Sequence, residues 1–569
     1  MRARAGMSHE TPFSPVARAA HLRRLADERF DVLVVGGGIT GAGVALDAAT
    51  RGLRTALVEA GDFAEGTSSR SSRLVHGGLR YLETGDFRLV FEALAERRRL
   101  LELASHLVHP LPFLFPLYRT GPVPFRKLQA GMWLYDLLAL FRGVRRHRML
   151  RHRAVLAAEP RLAREGLVGG AEYFDASVDD ARLALAVARG AHRAGAAVAS
   201  HVAVTGFLRD GAGAVRGARL RDALTGAEVE ARADVVVNAT GPWSDALRRL
   251  ADPDAAPRLR PTKGVHLVME RGRVGNAGAL IFPSPLDGRI MFVLPWGAFT
   301  YVGTTDTDFT GDPGEAAATE ADVEYLLESA NALFPEAGLA AADVLSTWTG
   351  VRPLLAPQRG GDGVAESATS REHEIWQDGG GLVSVAGGKL TTYRVMAAQT
   401  ADFVVEVLRR EREVAATDSV TADLHLPGAP RESWERFEPR VVADAARAGL
   451  PDAAARHLAR AYGEDAQTVL ARVAADPALG RPLLDGLPYV WAEVPHAVGG
   501  EMALTLEDVL RRRLHVFYEA RDGGLEIAAE VAARMAELPG LGWDAAETGR
   551  QVEAYRAAVE ATRPARQAP

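Results

Sequence analysis

The chain has 569 residues, 47% of them hydrophobic and 25% charged, with a formal net charge of −6 and no cysteine. This length predicts about three or four domain-sized units, and the composition is that of an ordinary globular protein, with no general case for nucleic-acid binding. Without thiols there are no disulfides, thiolate metal centres or thiol nucleophiles, so any redox chemistry has to live in a cofactor.

In chain order, residues 1–29 are polar and arginine-rich, lack the unbroken apolar run of a secretory signal, and read as a flexible arm. A buried strand then enters a glycine turn. Gly36, Gly38 and Gly41 have the GxGxxG spacing that gives a tight turn, close backbone approach to a pyrophosphate, and close packing of the next helix, whose N-terminus receives the phosphates beside Ile39 and Thr40. A second strand, 54–59, ends at Glu59, whose carboxylate can accept both ribose hydroxyls and disfavours a 2′-phosphate. Strand, glycines, helix, strand and acid within about thirty residues define a dinucleotide site. Residues 66–83 follow, rich in hydroxyls and paired glycines, and suit the wrapping of an extended cofactor.

From this point the chain resembles the flavin-dependent glycerol-3-phosphate dehydrogenases of the D-amino-acid-oxidase-like superfamily. Besides the segments above, the resemblance rests on Asp179-Asp-Ala-Arg182, Asn238-Ala-Thr-Gly-Pro-Trp243, Lys263-Gly-Val-His266, Gly303-Thr-Thr-Asp306, Gly350-Val-Arg-Pro-Leu354, Gly387-Gly-Lys-Leu-Thr-Thr-Tyr-Arg394 and Thr505-Leu-Glu-Asp-Val-Leu-Arg511. It implies an α/β fold: a Rossmann-type FAD-binding domain (30–105, 171–261 and 347–408), an interleaved antiparallel-sheet substrate domain (106–170 and 262–346), and an all-helical C-terminal domain (427–562). The runs 291–296 and 300–303 read as short strands of the second unit. After Pro427-Gly-Ala-Pro430 the pattern turns to amphipathic helix, and Thr505 with Asp508 forms a capping box expected to open the longest one.

The implied cofactor is FAD, held non-covalently because no cysteine can bind it. Its expected contacts are Gly36, Gly38, Ile39, Thr40, Gly41, Glu59, Thr67, Ser68, Ser71, Ser72, His76, Gly77, Gly78, Val204, Ala239, Thr240, Gly241, Trp243, Gly387, Gly388, Lys389, Leu390 and Thr391. Oxidising a secondary alcohol by hydride transfer to flavin also needs a base for the hydroxyl proton and anchors that fix the distance. His266 is the best base, since a neutral imidazole can take a proton near working pH; the bland alternative is a hydrogen-bonded core histidine. The rival His76 lies in the cofactor-wrapping segment and suits flavin contact better. A phosphorylated substrate calls for permanent cations, preferably guanidinium forks. Arg80, Arg352, Arg371 and Lys389 fit, with Tyr81 and Thr391 beside them; Lys389 could reach the flavin or the phosphate. Only Lys127, Lys263 and Lys389 occur among 67 basic residues, and two of the three lie in these motifs.

No metal-binding, GxSxG or catalytic-triad pattern appears. No run reaches the roughly 18 apolar residues of a membrane span; the best, 132–141, contains Asp136. It is followed by the arginine-rich 142–153, and an apolar helix face with a basic flank reads either as an anchor on anionic lipid or as a charged loop beside a packed helix. The resemblance implies glycerol 3-phosphate as substrate, a quinone as electron acceptor, and a cytoplasmic enzyme at the inner face of the membrane, without nucleic acid; a homodimer stays open. Its competitors are a glycerol-3-phosphate oxidase using O₂, an amine or amino-acid oxidase, a nicotinamide dehydrogenase and a non-catalytic flavin sensor.

Overall fold

A continuous apolar run such as 30–35 is satisfied only when both faces of the strand are covered, and Arg29–Val35 lies inside a sheet with helices on both sides. The computed structural model describes residues 11–78, 86–140, 144–356 and 372–563. In the first sheet the parallel order is Val383–Gly387, Glu228–Asn238, Arg29–Val35, Thr55–Val58, Ala197–Ala199. His373–Gln377 closes one edge antiparallel, and the hairpin Val202–Arg209/Val215–Asp222 extends Glu228–Asn238. The helices Ile39–Thr50, Asp180–Arg193 and Tyr393–Arg409 pack as a layer over this sheet, and their alanine- and valine-rich faces make one core.

Among the described residues the second sheet has ten strands. Leu259–Glu270 pairs antiparallel with Val344–Leu355 and Phe299–Gly303, and Ile290–Trp296 and Ala279–Pro283 continue the order. One step is parallel, from Ala279–Pro283 to Val108–Tyr118, so the sheet is mixed. The expected boundaries at 171 and 347 fall within strands of this sheet, Leu167–Val178 and Val344–Leu355. Each of these strands carries the chain towards the interface between the units, which is why the pieces interleave.

Two expectations are corrected. The N-terminal arm contains a helix, Pro15–Asp27, capped by the Ser14 hydroxyl, which accepts the Ala17 N–H. Its buried face mixes Ala17 and Leu25 with polar groups, as Arg18 donates to Asp222 Oδ1 at 2.7 Å and His21 Nδ1 lies 2.7 Å from the Val198 carbonyl, which blunts the hydrophobic periodicity. The capping pair at 505–508 forms, with the Asp508 N–H on Thr505 Oγ1 at 3.1 Å and the Thr505 N–H on Asp508 Oδ2 at 3.0 Å. It opens a six-residue π-helical turn, Asp508–Arg513, whereas the longest described helix is Ala545–Thr562. Arg512 and Arg513 reach Asp62 at 2.6 and 2.5 Å, so this segment follows ion pairing with the nucleotide unit instead of an amphipathic period. Asp62, His201 and Asp508 bring three ligand-type atoms together, but the same guanidiniums already neutralise both carboxylates.

Candidate functional site

The carboxyl ends of the first-sheet strands open into a cavity of about 860 Å³ roofed by the second sheet. That volume lies towards the top of the roughly 300–1,000 Å³ range of small-molecule pockets. At the glycine turn, Gly36 has φ +111° and a Cβ there would stand 2.6 Å from the Ala239 carbonyl oxygen. A Cβ on Gly41 would stand 1.9 Å from the Gly36 oxygen, so the third glycine lets the helix lie on the turn and does not itself line the cavity. The helix Ile39–Thr50 has no side-chain cap of its own; the Ile39 N–H donates instead to Ser68 Oγ at 2.9 Å. Glu59 accepts the N–H groups of Gly37 at 2.5 Å and Gly61 at 3.0 Å, and burial pushes its carboxyl above the usual range against those two bonds.

Of the residues expected at the cofactor, Gly36, Gly38, Ile39, Thr40, Glu59, Thr67, Ser68, Ser71, Ser72, His76, Val204, Ala239, Thr240, Gly241, Trp243, Gly387, Gly388, Lys389, Leu390 and Thr391 line this cavity, as do His266 and Arg352. Gly77 and Gly78 do not. Gly77 is buried behind the wall, its N–H on the Tyr135 hydroxyl at 3.1 Å. Arg80, Tyr81 and Arg371 lie outside the described residues. Lys263 is not part of the lining: its ammonium pairs with Asp322 Oδ2 at 2.6 Å. Thr391 Oγ1 accepts the His76 N–H at 3.2 Å and so ties the Lys389 loop to the wrapping segment. The sequence reading passed over Arg70, which also lines the cavity.

His266 sits where the two units meet. Its ring stacks on Trp348 with centroids 5.0 Å apart, and Nε2 is 2.9 Å from Ser72 Oγ. Gly303 makes room for it, since a Cβ there would stand 2.2 Å from the imidazole. Burial, then the positive charges of Arg352 and Arg73, pull its pKa down to about 3, so the ring is neutral. Arg352 is held by Asp306 Oδ1 at 2.9 Å and Thr304 Oγ1 at 3.1 Å, in space that the missing side chain of Gly264 leaves open.

Burial also lowers His21 and His109 to about 4 and His106 to about 3. Between pH 6.5 and these values the unfolded chain takes up protons that the folded one refuses, so stability falls as the pH falls. Glu519, pushed up by burial to about 7, Asp180, to about 6, and Glu59, raised by the same cause, act in the opposite sense. The four histidines outweigh the three carboxyls and predict a net loss on the order of 1–3 kcal/mol between pH 7 and pH 5. Chemical unfolding at the two pH values checks it; equal or greater stability at pH 5 would refute it.

The cavity fits a flavin dinucleotide on its own features. His266 Nδ1 and Arg70 Nε are buried without a hydrogen-bond partner, as expected where a polar ligand completes the bonding. Glycines cradle the turn at the helix N-terminus where a pyrophosphate binds.

A family model described as FAD dependent oxidoreductase matches residues 31–394, and another, the C-terminal domain of alpha-glycerophosphate oxidase, matches 419–548. Glycerol-3-phosphate dehydrogenase 2 of Mycobacterium tuberculosis is 43% identical over 549 residues, 96% of this chain and 91% of that one. The human mitochondrial glycerol-3-phosphate dehydrogenase is 39% identical over 95% of this chain and 75% of its own length. The crystal structure of the Bacillus halodurans glycerol-3-phosphate dehydrogenase complexed with FAD superposes with a TM-score of 0.79 at 32% identity, covering 98% of this chain and all of that one. The chain belongs to the FAD-dependent glycerol-3-phosphate dehydrogenase family, and its cofactor is FAD.

Proposed function

We propose that the protein oxidises sn-glycerol 3-phosphate to dihydroxyacetone phosphate by hydride transfer to flavin N5 and passes the electrons to a quinone. One observation carries the reading: a neutral imidazole, His266, and the cations Arg352 and Lys389 face one cavity built for a dinucleotide. FAD supplies the hydride acceptor. Arg352 and Lys389 bind the phosphate and so fix the distance of the carbinol carbon, and His266 accepts the hydroxyl proton. The positive charges that depress the basicity of His266 are offset once a phosphate dianion arrives, so its proton affinity rises when substrate is bound.

Anaerobic addition of glycerol 3-phosphate is expected to bleach the flavin, and glycerol is not; colour returns faster with a soluble quinone than with air. A flavin that glycerol 3-phosphate cannot bleach would overturn the substrate assignment, and faster return with air would favour the oxidase. Arg352→Ala should raise KM by roughly 10²-fold, as for loss of a charge-assisted anchor, with a smaller effect on the limiting rate.

A quinone acceptor places the protein at a membrane. Among the described residues no helix is long and apolar enough to cross one. The helix Phe125–Leu138 nonetheless exposes Trp133 (51%) and Leu137 (54%), with Phe125 and Leu140 also exposed, beside Arg126, Lys127, Arg145 and Arg146. This surface suits peripheral docking on an anionic cytoplasmic leaflet. Trp133→Ser with Leu137→Ser should reduce co-sedimentation with anionic vesicles about tenfold, the effect of exposing two apolar side chains fewer to lipid. Unchanged sedimentation would remove the helix as the anchor.

A further inference from the structure

The turn 71–73 carries Ser72 to His266, and four groups from outside it hold its backbone. The Trp348 indole N–H donates to the Ser71 carbonyl at 3.1 Å, and the Tyr301 hydroxyl to the Ser72 carbonyl at 3.0 Å. The Val178 N–H donates to the Arg73 carbonyl at 3.0 Å. The fourth is Asp180, whose enclosed carboxylate accepts both the N–H and the hydroxyl of Ser71, at 3.1 and 2.6 Å, and faces Arg73 Nε at 3.7 Å. Ser71 Oγ in turn accepts the Arg73 N–H at 2.9 Å. Arg73 has φ +51°, a conformation that a residue with a side chain seldom takes unless it is held. Its guanidinium lies 4.0 Å from the Trp296 ring centroid and 5.1 Å from that of Trp348, the indole on which His266 stacks. The serine and the imidazole therefore both rest on groups anchored by one carboxylate.

We infer that Asp180 is a positioning residue that acts through Ser71 and Arg73 to hold the Ser72 hydroxyl against His266 Nε2; its consequence for turnover rests on the function proposed above. Asp180 does not line the cavity and so reaches the reacting atoms only through other groups. Its neighbour Asp179 accepts from His515 Nε2 at 2.6 Å, which fastens the same helix end to the C-terminal unit.

Asp180→Asn, Ser72→Ala and the double variant test this in the FAD-loaded enzyme. In the crystal structure of Asp180→Asn, Ser72 Oγ is expected to move out of hydrogen-bond range of His266 Nε2. The limiting rate of anaerobic flavin bleaching should fall about tenfold with KM changed less than about twofold, the pattern of lost alignment and not of lost binding. Ser72→Ala should be comparably slow, and the double variant no slower than the slower single, because both act on one contact. If Asp180→Asn does not fold, Ser71→Ala keeps the carboxylate and removes the 2.6 Å bond to it together with the 2.9 Å bond from the Arg73 N–H, and it carries the same two measurements, with a fall of about threefold expected. An unmoved serine in the folded variant, or additive losses in the double, would overturn the inference. Failure of glycerol 3-phosphate to bleach the wild-type flavin would instead sink the proposed substrate, while the Ser72–His266 distance would still decide the role of Asp180.

Discussion

Replacing His266 by asparagine is expected to slow anaerobic flavin reduction by glycerol 3-phosphate by roughly 10²- to 10⁴-fold, the range for loss of a positioned general base. The asparagine amide stands where Nδ1 stood, short of the Nε2 position that meets Ser72 Oγ, and it cannot take the proton. The proposed phosphate anchors, Arg352 and Lys389, stay intact, so KM should move little and the loss should lie in the limiting rate. The neutral state of His266 adds a second signature. Its pKa of about 3 means that no loss of activity near pH 6.5 arises from this imidazole in the free enzyme. Stopped-flow bleaching from pH 5.5 to 9 reads both, and a variant that bleaches at the wild-type rate removes His266 as the base.

The second large effect is on stability. Arg182, on the helix Asp180–Arg193, donates to Glu501 Oε1 at 2.5 Å, to the Ala461 carbonyl at 2.6 Å and to the Arg513 carbonyl at 3.0 Å, all in the C-terminal unit. Tyr462 packs against the guanidinium, 4.4 Å from centroid to carbon. Arg182→Met leaves Glu501 enclosed with its main counter-charge gone, and the expected loss is about 3–5 kcal/mol. Adding Glu501→Leu should restore most of it, because an apolar pair of similar volume replaces the ion pair. Denaturant unfolding of the two variants decides the matter: a single variant within 1 kcal/mol of wild type, on the roughly 1 kcal/mol scale of an exposed pair, would show that Arg182 does not lock the units together.

What could be read from the sequence was whatever the backbone dictates through residue type. The glycine turn at 36–41 was legible because its glycines stand where a Cβ would meet carbonyl oxygens. The lining residues within 36–40, 59, 239–243 and 387–391 were legible because they follow strands at the carboxyl edge of a parallel sheet, where ligands sit, whereas His266 and Arg352 lie on strands of the second sheet and were legible only through their motifs. Charged residues with distant partners were not. Arg18 reads as solvated until Asp222 is brought to it, and Lys263, prominent in its motif, goes to Asp322. Asp180 reads as an acid near a helix N-terminus, ordinary on electrostatic grounds, and only the fold brings Ser71 and Arg73 to it. Three consecutive arginines at 511–513 cannot share one helix face and suggest a solvated segment, yet all three are buried.

The chain enters the first sheet, leaves for the second, returns at 197–238, leaves again, and comes back only at 373–387. Val237 therefore waits for Val383, and Thr262 for Arg352, before either sheet is complete. Pairings so distant in sequence are slow to find, since the loop must close before the contact repays it. No chain still being synthesised short of these last strands can present the whole cavity, so FAD binds only once both sheets have closed and stabilises that state by mass action. Flavin availability thus bears on how much finished protein survives, and far less on how quickly each chain folds.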